Sequence, residues 1–181
     1  MDNKCLILSG ISGAGKTTVG KKLSQQSGWH FVDGDDFFLE NKPKYTLSDG
    51  SVCTNWDCPQ AIDWTKLNTH ICSLLTYTSV ILVTFLPLIN YFKFPIHNHI
   101  MLNTGTYPEI VIERAIENRI ISKRLTDAVK IRKDRLIVRE LVYPQYLDIA
   151  KDNCIIYDVY NSDGNRKTID AIVKELILIC G

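Results

Sequence analysis

The sequence of 181 residues has no excess of charge of either sign, because 21 lysines and arginines are balanced by 20 aspartates and glutamates, for a net charge of +1. This balance argues against a protein that coats nucleic acid, which is normally markedly basic. The apolar run at 80–89 is too short to span a membrane, and residues 1–10 lack the features of a signal peptide. We therefore expect a cytoplasmic protein that binds neither nucleic acid nor membrane.

Paired metal-ligand patterns are also missing. The chain has six cysteines, but none of them forms a C-x-x-C pair. Cys53 and Cys58 lie close together, yet no second pair of Cys or His at the spacing of a zinc site accompanies them. The four histidines are not arranged as a ligand set either. We expect reduced thiols and no zinc site.

Short apolar runs alternate with amphipathic segments along the chain, and no repeat or flexible linker interrupts them. This alternation is typical of βαβ units, which build a parallel sheet with helices on both faces. We predict one α/β domain over residues 1–181. The predicted strands lie at 5–8, 30–32, 80–85, 100–102 and 154–159. The predicted helices lie at 17–26, 61–75, 108–150 and 168–179, and residues 41–59 are predicted to form a long loop.

The segment at 10–17, GISGAGKT, matches the phosphate-binding pattern G-x-x-x-x-G-K-[ST] in full, between a predicted strand and a predicted helix. Its glycines permit backbone conformations that aim successive N–H groups at one anion. Lys16 adds a positive charge for the terminal phosphates of a nucleoside triphosphate, and the Thr17 hydroxyl is suited to Mg²⁺. The predicted nucleotide-binding residues are Gly10, Ser12, Gly13, Ala14, Gly15, Lys16, Thr17 and Thr18.

Three carboxylates follow the second predicted strand: Asp33, Asp35 and Asp36. Folds of this type place their chemistry at the carboxyl ends of parallel strands, and a kinase that phosphorylates a hydroxyl needs a carboxylate to orient it. Strand alternation would put Asp33 and Asp35 on one side and Asp36 on the other. Spacing alone does not choose among the three, and an acidic turn or a helix cap is the alternative.

An aromatic side chain and a carboxylate stand together in the predicted loop, at Trp56 and Asp57. Trp56 is suited to stack on a planar ring, and Asp57 is suited to accept hydrogen bonds from a vicinal diol. The alternatives are structural. Asp57 precedes Pro59 as a helix cap would, and the nearby Trp64 is expected in the core.

Together, the phosphate loop, the DDFF run at 35–38 and the segment NWDCPQAID at 55–63 resemble the uridine kinase and nicotinamide riboside kinase family. The resemblance is clear over residues 4–75, although Cys58 stands where uridine kinases have His. It implies a P-loop kinase fold: a three-layer sandwich with a five-stranded parallel sheet and a helical lid. It also implies that the protein uses ATP and Mg²⁺ to phosphorylate a small hydroxylated acceptor. The oligomeric state is left open.

The same resemblance implies roles for individual residues in an acceptor region at about 35–63. Asp35 is the expected general base for the 5′-hydroxyl of a ribonucleoside, such as uridine, cytidine or nicotinamide riboside. Asp57 is expected to hold the ribose 2′- and 3′-hydroxyls, and Trp56 to lie against the base. Because this region offers mostly acids, a neutral hydroxylated acceptor is favoured.

One departure and a second resemblance keep alternatives open. The family carries Glu-Gly after the third strand, where this chain has Thr84 and Phe85, so Asp33 is the predicted replacement and joins Thr17 at the metal. Loss of that Glu also allows a nucleotide-binding pseudoenzyme. The segment GWHFVDGDD at 28–36 is similar to gluconate kinases, which makes a sugar-acid kinase the runner-up. The chain lacks the D-x-x-G and N-K-x-D motifs of a GTPase switch.

Basic residues crowd the segment at about 114–135, where the fold is expected to carry a helical lid over the phosphates. Resemblance to the arginine-bearing lids of the family favours Arg119 and Arg124 as the residues that reach the transferring group. The alternative is a solvated basic helix face that pairs with neighbouring acids.

Overall fold

The computed structural model describes residues 3–85, 89–105, 107–144, 146 and 154–180. The strands are β1 (Cys5–Gly10), β2 (His30–Asp33), β3 (Lys44–Thr46), β4 (Val52–Thr54), β5 (Val80–Val83), β6 (Asn98–Asn103) and β7 (Ile155–Asp158). Five of them form a parallel sheet in the order β2-β5-β1-β6-β7, and β3 and β4 pair as a separate antiparallel hairpin. The sheet contains the five strands that the sequence predicts.

The helices are α1 (Lys16–Ser27), α2 (Trp64–Leu74), α3 (Pro108–Ser122), α4 (Ala128–Ile137) and α5 (Ile169–Cys180), with a π-helical stretch at Val138–Val142. The long helix predicted at 108–150 is therefore divided, and its predicted end at 147–150 lies outside the described residues. None of the described helices is long and apolar enough to cross a membrane.

Alternate residues of the central strands enter two different apolar clusters. Leu6 and Leu8 of β1 pack in a cluster with side chains of α1, α3 and α5. Cys5 and Ile7 pack in a second cluster, with α2. Because successive strand residues point to opposite faces, helices cover both faces of the sheet. The predicted three-layer sandwich is confirmed.

The predicted loop at 41–59 contains the β3–β4 hairpin instead. Its turn is closed by hydrogen bonds from the Leu47 amide to Ser51 O and from the Gly50 amide to Leu47 O, each 2.9 Å. Gly50 has a φ of 80°, which a glycine adopts without strain. Four of the six strand residues are β-branched or aromatic, but each strand is only three residues long, so the surrounding polar turn residues hid this hairpin.

Two structural alternatives from the sequence are now decided. The cap of α2 is Asp63, whose Oδ1 accepts a hydrogen bond from the Lys66 amide at 2.9 Å. Asp57 is therefore not the helix cap. Trp64 packs against the α2 cluster and stacks on Tyr91 with ring centroids 4.8 Å apart, as expected for a core residue.

Candidate active site

The phosphate loop joins β1 to α1. Gly13 and Gly15 have φ values of 86° and 93°, in the left-handed region that favours glycine. A Cβ on Gly13 would come within 2.4 Å of the Asn118 Cβ, so this glycine also lets α3 approach the loop. The Gly15 residue caps α1, and the amide of Val19 donates to Gly15 O at 2.9 Å. The loop therefore presents the N-terminus of a helix, which is an anion-binding arrangement.

A cavity of about 1040 Å³ opens beside this loop. Its wall on the loop side contains six of the eight predicted nucleotide-binding residues: Ser12, Gly13, Gly15, Lys16, Thr17 and Thr18. Gly10 and Ala14 lie behind the loop, where Ala14 is fully buried. A Cβ on Gly10 would meet Leu102 O at 2.5 Å, so Gly10 allows the loop to pack on β6.

Lys16 lines the cavity from the phosphate loop. Its ammonium donates to Ile11 O at 3.1 Å, and it stands 5.6 Å from the centroid of the Phe85 ring. Burial lowers the pKa of Lys16 to about 8, against the opposing attraction of three nearby aspartates. An anion in the loop would supply the partner charge that this buried ammonium lacks.

Asp33 and Asp35 both line the cavity, and Asp36 does not. The predicted grouping of Asp33 with Asp35, apart from Asp36, is confirmed. Strand alternation is not its cause, because Asp35 belongs to a 3₁₀ turn at Gly34–Phe37 rather than to the strand. The Asp33 carboxylate caps this turn by accepting from the Asp35 amide at 3.3 Å. Burial and the charge of Asp33 raise the pKa of Asp35, against the attraction of Lys16. A carboxylate with a raised pKa is a stronger proton acceptor.

Trp56 and Asp57 form the opposite wall. The Trp56 side chain is 48% exposed, meets Phe38 edge to face at 5.1 Å, and carries the Lys42 ammonium 4.2 Å from its ring centroid. Burial raises the pKa of Asp57 to about 6, although Arg119 acts in the opposite direction. Both predicted acceptor residues thus lie in the same cavity as the phosphate loop.

The lid supplies Arg119, which lines the cavity from the end of α3. Its guanidinium forms two hydrogen bonds to the carboxylate of Asp134, at 2.8 and 3.0 Å, and donates to Ser12 Oγ at 3.4 Å. Lys123 also contacts Asp134, at 2.6 Å. Burial opposes ionisation, but these hydrogen bonds hold the pKa of Asp134 below its usual value. The guanidinium of Arg119 is therefore fixed by hydrogen bonds to Asp134 and Ser12, and it is not a freely solvated cation.

The second predicted lid arginine is placed differently. Arg124 follows the end of α3 with a φ of 51° and does not line the cavity, whereas Lys123 does. Lys123 follows α3 directly in a right-handed helical conformation, four residues after Arg119 and on the same face, whereas Arg124 leaves the helical conformation with its positive φ. The lid cation that lines the cavity beside Arg119 is thus Lys123, and the role of Arg124 at the transferred group stays a prediction.

Three further basic residues near the site carry no role in the predictions made from the sequence. Arg166 donates to Ala14 O, behind the phosphate loop, at 2.8 Å. The guanidinium of Arg114 lies over the Tyr160 ring, 3.5 Å from its centroid. Lys133 of α4 enters the cavity and donates to Val52 O at 3.0 Å. The sequence shows that these residues are basic, but it does not show their contacts, because the residues that they contact are distant along the chain.

The predicted metal ligands, Thr17 and Asp33, both line the cavity, and Thr84 stands beside them. Within residues 3–85, 89–105, 107–144, 146 and 154–180, no three or more His, Cys, Asp or Glu side chains are grouped to hold a metal ion. A Mg²⁺ site at this position would therefore depend on phosphate oxygens, as is usual for Mg²⁺ bound with a nucleotide.

Comparison with known proteins places the similarity in the first third of the chain. A family model described as shikimate kinase matches residues 12–49. A probable gluconokinase of Xenopus tropicalis is 43% identical over 53 residues, or 29% of this chain and 27% of that protein. Shikimate kinase 2 of Yersinia pestis (strain Pestoides F) is 38% identical over 52 residues, or 29% of each chain. The matched segments thus span less than a third of these curated relatives.

The fold itself has a solved counterpart. The structure of shikimate kinase from Acinetobacter baumannii in complex with shikimate aligns with a TM-score of 0.53 and 16% identity, over 98% of this chain and 92% of that one. This likeness establishes the α/β P-loop kinase fold. The similarities are to gluconokinase and shikimate kinase, and they give no support to a specific relation with uridine or nicotinamide riboside kinases.

Proposed function

We propose that this protein is a small-molecule kinase that transfers the terminal phosphoryl group of ATP to a hydroxyl of a polyhydroxylated acid of the gluconate or shikimate type. The observation that carries the proposal is one cavity in which the phosphate loop, Asp35 and the lid cation Arg119 meet. A switch or a simple nucleotide-binding module needs one carboxylate beside its phosphate loop for Mg²⁺, whereas this cavity adds Asp35 and Asp57 to Asp33.

The chemistry follows from the charges on the two sides of the cavity. Asp35 accepts or orients the proton of the attacking hydroxyl. Lys16 and Arg119 stabilise the negative charge that develops on the transferred group, and most of the rate gain comes from positioning and electrostatics. Thr17 and Asp33 would hold Mg²⁺, which neutralises phosphate charge when bound.

An acidic acceptor is favoured by the part of the chain that matches known kinases and by the substrates for which those kinases are named. The match to the shikimate kinase model covers residues 12–49, so it includes Asp35 and all of the phosphate loop except its first two residues. The known relatives are named for gluconate and shikimate, and these molecules share a carboxylate and several hydroxyls. Among the alternatives predicted from the sequence, this evidence favours the sugar-acid kinase over the ribonucleoside kinase.

A ribonucleoside remains the second candidate because of one local observation. Trp56 is a half-exposed aromatic ring at the mouth of the cavity, and the carboxylate of Asp57 follows it inside. An aromatic face next to a hydrogen-bond acceptor suits a planar base joined to a diol. A sugar acid would use the same ring for contacts with its C–H groups.

The test is ADP release from ATP–Mg²⁺ with a panel of acceptors: gluconate, shikimate, glycerate, uridine, cytidine and nicotinamide riboside. The proposal expects release only with an acid, and loss of release in Asp35→Asn. Release with a nucleoside alone would select the second candidate. ATP binding without release for any acceptor would indicate a pseudoenzyme, and Thr84 would then be the first position to examine.

A further inference from the structure

Among the described residues, no arginine lines the acceptor half of the cavity, which is formed by side chains between residues 33 and 57. All seven arginines of the chain lie at or after Arg114, so none occurs in residues 1–113. The carboxylates of Asp33, Asp35 and Asp57 face the same space. An acidic acceptor that enters this half must therefore find a cation on the lid, because an unpaired carboxylate beside three others is strongly disfavoured.

Four cations line the cavity, and three of them already have a task. Lys16 lies under the phosphate loop, with its ammonium on Ile11 O. Arg119 and Lys123 both bind the carboxylate of Asp134, and Arg119 also reaches the loop. Lys133 is the fourth, and in the part of the chain that the structure describes it has no ion-pair partner.

Lys133 also lies at the acceptor side of the cavity. Its ammonium donates to the carbonyl of Val52 at 3.0 Å, which ties α4 to strand β4 of the hairpin. Three residues beyond β4 the chain reaches Asp57. A lysine ammonium has three donors, so two remain for a ligand after the bond to Val52 is made.

We propose that Lys133 binds the carboxylate of the acceptor and selects a hydroxy acid over a neutral polyol of the same length. This inference rests on the proposed function, because it identifies the residue that recognises the acid in the same cavity. It makes Lys133 a specificity-determining residue on the lid. Acceptor binding would then engage the lid directly and draw α4 toward the hairpin.

The experiment compares Lys133→Met with Lys130→Met, which removes the same charge from an exposed position of α4. Gluconate and glucitol are the matched ligands, since they differ only in a carboxylate against a hydroxymethyl group. Loss of a charged hydrogen bond should raise the gluconate KM about 10–100-fold. The ATP KM and the inhibition constant of glucitol should change less than about twofold, and Lys133→Arg should retain most of the affinity for gluconate.

Equal weakening of gluconate and glucitol by Lys133→Met would overturn the inference, because it would indicate only a damaged hairpin contact. Equal affinity of the wild type for the two ligands would overturn it as well. Gluconate binding can be measured by calorimetry in the presence of a non-hydrolysable ATP analogue, where no phosphoryl transfer takes place. This measurement tests the role of Lys133 separately from the proposed kinase activity. If Lys133 controls gluconate binding while no phosphoryl transfer occurs, the inference stands and the kinase proposal fails.

Discussion

The two walls of the cavity are built in different ways. The nucleotide wall is main chain, a loop held between the buried strand β1 and helix α1, with glycines where the backbone turns. The acceptor wall consists of side chains from a 3₁₀ turn, a hairpin and the segment after the hairpin, which are separate elements of the chain. The first wall depends on local sequence, whereas the second depends on tertiary contacts.

Charge divides the walls in the same way. The acceptor wall carries the carboxylates of Asp35 and Asp57, and the lid and the phosphate loop carry the cations that face them. A transferred phosphoryl group would pass between these two layers of opposite charge. Substitutions on each side should therefore affect different steps, and the predictions below separate the chemical step from ligand binding, starting with the largest effect.

The carboxylate of Asp35 should matter for transfer alone. Replacement by Asn keeps the size of the side chain but removes the proton acceptor, so we expect kcat to fall about 10²–10⁴-fold. ATP affinity, measured by equilibrium binding, should remain within about threefold. Asp36→Asn is the matched control, because Asp36 is adjacent and does not line the cavity. Near-normal turnover in Asp35→Asn would remove it from the catalytic role.

Lys16 tests the nucleotide wall. Lys16→Met removes the charge nearest to the bound phosphates, and we expect kcat/KM for ATP to fall about 10²–10³-fold, as for loss of one preorganised donor. Lys21→Met provides a control on the same helix, where the ammonium lies over the Phe31 ring. If both variants lost the same activity, a general effect of charge or of helix stability would be responsible.

The unequal construction of the walls explains what the sequence could predict. The spacing and the flanking elements of the phosphate loop are local, so the sequence predicts the strand and the helix that the structure places on either side of it. The grouping of Asp33 with Asp35 was also correct, although a 3₁₀ turn rather than strand alternation produces it. The position of Lys123 in the cavity could not be predicted, because the end of α3 is not visible in a continuously helical pattern. The partners of Lys133 and Arg166 are set by tertiary contacts, which periodicity does not reveal.

Asp134 tests whether the lid cation must be held in place. Its side chain is 5% exposed and it contacts both Arg119 and Lys123. Asp134→Asn should lower kcat about 10–10²-fold, because a displaced guanidinium stabilises the transferred group less well. If Asp134 acts through Arg119, the substitution should cost little more activity in an Arg119→Ala background.

Control variants separate this positioning role from loss of fold. Glu113→Gln disrupts the exposed pairs of Glu113 with Arg135 and Arg139, and should change both turnover and stability little. Urea unfolding of each variant gives the stability on its own. Additive losses in kcat for Asp134→Asn and Arg119→Ala would show that Asp134 does not act through the arginine.

The smallest effect expected is one of stability, at Asp57. Its pKa is raised by burial from 3.8 to about 6. Between these two pKa values the folded protein binds more protons than the unfolded chain, so the free energy of unfolding falls as pH rises. The full loss of stability from burying the ionised carboxylate is present above pH 6. Asp57→Asn should therefore raise the free energy of unfolding at pH 7 by about 1–2 kcal/mol. The gain should shrink as pH falls from 6 and disappear below about pH 3, where the wild-type carboxyl is protonated in both states.

Asp57→Asn should weaken acceptor binding in the same samples, with an increase of several-fold in the acceptor KM and little change for ATP. A more stable but weaker-binding variant would mean that the acceptor wall keeps a buried charge for function at a cost in stability. A substitution in the nucleotide wall should lower stability instead. Gly13→Ala should destabilise the protein, because the new Cβ would lie 2.4 Å from the Cβ of Asn118. Equal stability of Asp57→Asn and wild type across pH 4–8 would contradict this division between the walls.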